Sequence, residues 1–212
     1  MTSLLGLALT DPNVPTPSFV IEEERLDKNL RRALEKARAL GVHLRPHLKT
    51  HKSIGIALRQ METPQGPACV STLLEAEYFF SHGVTDLLYA VGIAPQKLPK
   101  VAALGERGCD LKIILDNAAA ADAVSDFCRE HGVSIPVLLE VDVDGHRSGL
   151  APESPELLTV AEHLRDGARL VGVLTHAGAS YDEPDLEHVR LAAERERDGI
   201  VLAAQKLREA GH

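Results

Sequence analysis

Short apolar runs rich in β-branched residues alternate along the chain with longer amphipathic stretches. The runs are Ser18–Ile21, Val42–Pro46, Ala68–Thr72, Leu87–Ala90, Leu111–Leu115, Val137–Val141 and Leu170–Thr175. Several are apolar at consecutive positions, the pattern of strands covered on both faces. Between them the apolar period changes to that of a helix. Leu26, Leu30 and Leu34 fall four apart, with Ala33 and Ala37 beside them. Val124, Phe127 and Cys128 mark one face of the stretch after Asn117, a residue suited to an N-cap. The segment Pro184–Ala210 carries Leu186, Val189, Ala193, Ile200, Ala203 and Leu207 among many charges. Gly41, Gly83, Gly108 and Gly132 follow four of the helices, where a left-handed residue is expected.

Repeated strand–helix units predict a parallel sheet with right-handed crossovers. With the first run set aside, six strands alternate with six helices. A closed TIM-type barrel needs eight. Two readings follow: the first part of a longer barrel protein, or an open six-stranded α/β domain.

Composition narrows the class. At 44% hydrophobic and 25% charged residues, the 212-residue chain is too apolar to be disordered. Lys plus Arg number 23 against 31 Asp plus Glu, and aromatics are 3%, which argues against a nucleic-acid binder. No apolar run reaches the roughly 18 residues of a membrane span. Met1–Gly6 lacks a basic n-region, so no signal peptide is expected. Cys69, Cys109 and Cys128 are odd in number and unrelated in spacing, and are read as thiols in a reducing cytoplasm.

The densest polar constellation is Arg45–Ser53, at the C-terminal end of the run beginning at Val42. Catalytic residues of α/β barrels concentrate there. Lys49 stands among Arg45, His47, His51 and Lys52, and like charges favour a neutral, nucleophilic amine. The alternatives are a solvated basic loop, an anion site, or a metal held by His47 and His51. Glu140–Gly149 ends a second strand. There Arg147 can aim its donor fork at an oxygen anion, or pair with Asp142 or Asp144. Leu174–Asp182 ends a third, where His176 is followed by small residues and an imidazole or phenol has room to stack on a flat ligand. Ser71, Thr72 and Glu75 either line the same mouth or cap the next helix. Asp116-Asn117 reads as a cap, and His82, His131, His163 and His188 as surface residues. There is no G-x-G-x-x-G, Walker A, G-x-S-x-G or C-x-x-C motif.

Arg45-Pro46-His47-Leu48-Lys49-Thr50-His51-Lys52 resembles the pyridoxal-phosphate lysine motif of the D-serine dehydratase and D-threonine aldolase family, which has the alanine-racemase-like fold type III. Thr16-Pro17-Ser18, Val70–Glu77, Asp86–Ala90, Glu140–Gly149 and Leu174–Tyr181 match its other segments in order. The resemblance implies a TIM-type (β/α)8 barrel of the alanine-racemase N-terminal type. Residues 1–212 would be a pyridoxal-phosphate-binding barrel domain cut after about six βα units, with the family's C-terminal β domain absent. It implies that Lys49 holds the cofactor and moves the Cα proton. Arg147 would approach the phenolic oxygen, His176 would stack on the pyridine face, and Tyr181 would contact the cofactor or its phosphate. Leu174 departs from the tyrosine of eukaryotic D-serine dehydratases.

The resemblance further implies a divalent metal, zinc or manganese, whose ligands lie outside this chain, a phosphate loop on the next strand, a D-amino acid substrate and a homodimer. The 212-residue chain alone is expected to be poorly soluble or inactive, because an open barrel exposes two sheet edges. The leading activity is β-elimination of the D-serine dehydratase type, giving a keto acid and ammonia. The alternatives are retro-aldol cleavage, amino-acid racemisation, a non-catalytic pyridoxal-phosphate carrier, and a cofactor-free domain.

Overall fold

The computed structural model describes residues 7–212; the Met1–Gly6 signal-peptide reading lies outside them. The chain divides into two compact units, Met1–His43 and Leu44–His212.

The first unit is built on one helix, α1 (Glu23–Ala39). Glu23 and Glu24 stand in its first turn and Lys36 and Arg38 in its last, charges that complement the helix dipole. The strand expected at Ser18–Ile21 does not form. The segment is irregular, and Phe19, Val20 and Ile21 are exposed. Among the described residues no backbone pairs with it, and a strand without a partner has no ladder to stabilise it.

The second unit holds a five-stranded, wholly parallel sheet in sequence order: β1 (Ala68–Val70), β2 (Asp86–Gly92), β3 (Asp110–Leu115), β4 (Ile135–Val141) and β5 (Ala168–Thr175). The helices are α2 (Ile54–Gln60), α3 (Leu73–Ser81), α4 (Leu98–Glu106), α5 (Ala118–His131), α6 (Glu156–Glu162) and α7 (Leu186–Glu209). Sequential parallel order is that of consecutive βα units in a TIM-type barrel. Five of the expected strands form. The sixth, Val42–Pro46, is reduced to one bridge between His47 and Cys69, with Cys69 N–H donating to Pro46 O at 2.8 Å. Its apolar sequence is compatible with a strand, but only the last residues reach a neighbour.

Alternation sorts the strand side chains into two faces. Val70, Leu87, Tyr89, Leu111, Ile113, Leu115, Val137, Leu139 and Val141 pack with Phe79, Leu98, Val101, Val124, Cys128, Leu157 and Val160 of the helices. The opposite face carries a smaller cluster of Cys69, Leu88 and Ile114, flanked by Ala90, Leu138 and Leu174. At about 25 cal/mol per Å2, the helix-covered face supplies most of the burial energy. The small face is therefore left to carry the site.

Helix ends follow the sequence. Thr72 Oγ1 accepts from Glu75 N–H at 3.0 Å and Asn117 Oδ1 from Ala120 N–H at 2.9 Å. Gly132 ends α5 at φ +64°, and Gly41, Gly83 and Gly108 also have positive φ. His82, His131 and His188 are exposed, as expected; His163 is half-buried, with Nδ1 2.9 Å from Asp122. No helix among the described residues is long and apolar enough to cross a membrane.

Candidate active site

A pocket of about 300 Å3 lies at the C-terminal ends of the strands. It gathers Lys49 and His47 from before β1, Cys69 from β1, Ala90 and Gly92 from β2, Glu140 from β4, Arg147 and Ser148 from the loop after it, and Leu174, Thr175 and His176 from the end of β5. Three of the four residues singled out for a site thus share one cavity. Tyr181 does not line it. It sits in the turn Ala179–Tyr181, exposed, with its ring edge-on to His176 at 6.0 Å between centroids.

Lys49 is carried on a single 3-10 turn, Leu48–Thr50, anchored by fully buried Leu48. Its backbone N–H donates to His47 Nδ1 at 3.4 Å, leaving the His47 proton on Nε2, which faces Ser71 Oγ at 3.3 Å. Burial first, and then the charge of Lys49, hold the His47 imidazole below its usual range, so it stays neutral near pH 7. His51 is fixed in the same way: Nδ1 accepts from Ser53 N–H at 3.0 Å and Nε2 lies 3.0 Å from Gln60 Oε1.

The cations expected around Lys49 are mostly engaged elsewhere. Arg45 forms a two-pronged pair with Asp86 at the start of β2, at 2.7 and 3.2 Å. Lys52 pairs with Glu75 at 3.2 Å. Thus the loop is a set of separate contacts and not one basic cluster.

The β4 loop folds back on its own strand. Leu150 N–H donates to Glu140 O at 3.0 Å and Asp142 N–H to Leu150 O at 2.9 Å. Ser148 Oγ donates to the buried Glu140 carboxylate at 2.9 Å. Asp142 accepts from Gly145 N–H and Asp144 from Ala179 N–H, at 2.8 and 2.9 Å, so neither is the partner of Arg147. Arg147 Nη1 instead donates to His176 Nε2 at 3.0 Å. Thr175 Oγ1 is buried and has no hydrogen-bond partner. A buried hydroxyl without a partner is costly and is commonly found where a ligand completes it.

Glu140 and Thr175 were not singled out from the sequence. Glu140 is legible only as the inward position of a strand end, and Thr175 only as the neighbour of His176. Ser71 lies against His47, while Thr72 caps α3.

Residues 21–212 match the family model described as alanine racemase, N-terminal domain. The chain is 50% identical over 198 residues to D-threo-3-hydroxyaspartate dehydratase of Delftia sp. (strain HT23), covering 92% of this chain and 52% of that protein. The solved structure of that dehydratase superposes with a TM-score of 0.90 at 48% identity, over 94% of this chain and 53% of the other. D-serine dehydratase of Schizosaccharomyces pombe is 31% identical over 81% of this chain and 44% of its own length. D-threonine aldolase of Arthrobacter sp. is 32% identical over 97% and 57%. The chain spans about half the length of these curated relatives. With the family model, the relatives and the superposed fold in agreement, this chain belongs to the alanine-racemase-like, fold type III family that includes the D-serine dehydratases and D-threonine aldolases.

Proposed function

We propose that this chain forms the pyridoxal-phosphate-binding part of a lyase that removes water from D-configured β-hydroxy amino acids. The observation that carries the reading is the meeting of Lys49, Arg147, His176 and the unpartnered Thr175 hydroxyl in one pocket. The donor set fits a flat, anionic, aldehyde-bearing ring. Lys49 offers the amine for the aldehyde, Arg147 a planar cation for the phenolic oxygen, His176 an aromatic face, and Thr175 a free hydroxyl. Tyr181, exposed and edge-on to His176, is kept as a residue that would contact the cofactor or its phosphate, though it does not line the pocket.

When bound, pyridoxal phosphate supplies an electron sink for the charge left at the substrate Cα. The chain's own groups do the rest. Lys49 would hold the cofactor through its Nζ, and the same Nζ, once free, would be placed to take the Cα proton. Arg147 is donor-only, so it favours the phenolate and, through its contact with Nε2, fixes the neutral His176 tautomer. The β-hydroxyl leaves with that proton as water; the enamine released tautomerises to an imine, which water hydrolyses to a 2-keto acid and ammonia. No three His, Cys, Asp or Glu side chains among the described residues come together as a metal site; the divalent metal that the resemblance implies would be held by residues outside this chain.

The substrate reading moves from the one first expected. Identity is 50% to a hydroxyaspartate dehydratase against 31% to a D-serine dehydratase. Leu174, which lines the pocket, departs from the tyrosine of the eukaryotic D-serine enzymes. We therefore place a β-hydroxy amino acid with a second carboxylate ahead of D-serine. The 32% identity to a D-threonine aldolase supports retro-aldol cleavage as the second reading. A homodimer and a reducing cytoplasm complete the proposal; the three buried free thiols support the latter.

The test is product analysis with D-threo-3-hydroxyaspartate, D-serine and D-threonine, for the parent and Lys49→Ala. Keto acid and ammonia from the first substrate, lost in the variant, are expected. Glycine with an aldehyde would overturn elimination in favour of cleavage.

A further inference from the structure

Two lysines three residues apart share the segment before α2, and both carry primary amines able to attack an aldehyde. Only Lys49 lines the pocket. Lys52 is drawn away by Glu75, a residue of α3 that is 7% exposed. One Glu75 oxygen, Oε1, lies 3.2 Å from Lys52 Nζ; the other, Oε2, accepts from Ser71 N–H at 2.8 Å. Ser71 Oγ in turn meets His47 Nε2 at 3.3 Å, and His47 Nδ1 accepts the Lys49 N–H. The same carboxylate therefore touches the far side of the lysine turn through Lys52 and the near side through Ser71 and His47.

The backbone agrees. Lys52 sits at φ +51°, in the left-handed region that side-chain-bearing residues rarely adopt. Its N–H donates to Leu48 O at 2.9 Å, closing the turn that bears Lys49. Such a conformation persists where its surroundings hold it, and the side chain of Lys52 makes its ion pair with Glu75 from it, at 3.2 Å.

We propose that Glu75 is a positioning residue that selects Lys49, and not Lys52, as the lysine that reacts with an aldehyde cofactor. The proposal rests on the reading of Lys49 as the cofactor lysine. Removing the carboxylate frees Lys52 and loosens Ser71, so reaction spreads from one lysine to the other. Gln at this position can still accept from Ser71 N–H but loses the ion pair, so it frees Lys52 while leaving Lys49 in place.

The test treats the chain with pyridoxal phosphate and borohydride, then locates the label by peptide mapping. A lysine Nζ forms a C=N bond to the aldehyde carbon with loss of water. Borohydride then adds hydride to that carbon and fixes the link. In the parent, the label is expected on Lys49. In Glu75→Gln and Glu75→Ala, the Lys52-to-Lys49 ratio is expected to rise at least tenfold, by gain at Lys52 in the first and by gain at Lys52 with loss at Lys49 in the second. General loosening of the fold would instead spread label over the other exposed lysines, an outcome that overturns selection by Glu75. A ratio unchanged in both variants, with Lys49 still labelled in the parent, also overturns it. A parent not preferentially labelled at Lys49 sinks the site reading itself, and the proposal with it. If Glu75→Ala is unfolded by circular dichroism, Glu75→Gln decides on the same ratio.

Discussion

Arg147 Nη1 donates to His176 Nε2 across 3.0 Å, joining the loop after β4 to the end of β5. A guanidinium has no acceptor, so His176 must present a lone pair at Nε2 and carry its proton on Nδ1. Asp144 reinforces the junction by accepting Ala179 N–H, and His146 packs on Gly178, where a Cβ would lie 2.8 Å from its ring.

Replacing Arg147 with Ala removes the charged hydrogen bond proposed to the phenolic oxygen of the cofactor, worth about 1.5–3 kcal/mol. At 1.4 kcal/mol per factor of ten, cofactor affinity should fall roughly tenfold to a hundredfold. Titration of the cofactor absorbance checks this, and affinity within twofold of the parent would contradict it. Imidazole nitrogen shifts should report a neutral Nδ1–H tautomer for His176 in the parent.

Two glycines of the same loop should behave differently. At Gly149 (φ +113°) a Cβ would sit 2.7 Å from Asp142 N and 2.8 Å from Glu140 O, both rigid backbone. At Gly145 (φ +68°) a Cβ meets nothing within 4 Å. Gly145→Ala should therefore cost only about 1–2 kcal/mol for the left-handed conformation. Gly149→Ala should cost more, about 3 kcal/mol or above, and displace Arg147. Urea melts of the two variants compare them directly; equal losses would be inconsistent with this packing.

His47 should titrate below an ordinary imidazole, burial being the larger cause and the Lys49 charge the smaller opposing influence on its protonation. Lys49→Ala should raise the midpoint without restoring it fully. The sign for stability follows: the unfolded chain binds the proton more readily, so the contribution is whole above about pH 6.5 and declines below it, until His47 itself titrates. Protonated Nδ1 cannot accept the Lys49 N–H, so cofactor binding should weaken only as pH falls through the lowered pKa of folded His47. An NMR titration that places His47 at or above 6.5 would contradict the account.

Asp86 gives a second pH effect. Burial pushes its carboxyl upward, but hydrogen bonds and charge from Arg45 and Lys112 outweigh it and hold the group below the usual aspartate range. Its folded value is depressed, so its contribution is present above about pH 3.9 and lost as pH falls below that. Asp86→Asn should flatten the stability profile below about pH 4, and acid melts of parent and variant should then run parallel above it.

The strands and most helix ends were legible because burial on the helix-covered face imposes its own pattern, as at Ile113 and Val137, and because Asn117 at a strand end is suited to capping. Val42–Pro46 was misread because apolar sequence is necessary for a strand but a partner is also required. Arg45 lies two residues from His47, on the same side of an extended segment, and sequence alone suggested one cluster. Its long side chain runs the other way, to Asp86, a choice set by the start of β2. From the sequence, Thr72 and Glu75 either line the mouth or cap the next helix, and Thr72 does cap it. That the Glu75 side chain also reaches Lys52 and Ser71 depends on a loop brought up from another part of the chain.

The most direct test of the central claim is the near-visible absorbance of the chain with pyridoxal phosphate, read beside Lys49→Ala. A band that saturates in the parent and is missing in the variant is the expected result. A band of equal strength in both, or none in the parent at excess cofactor, would contradict Lys49 as the cofactor lysine.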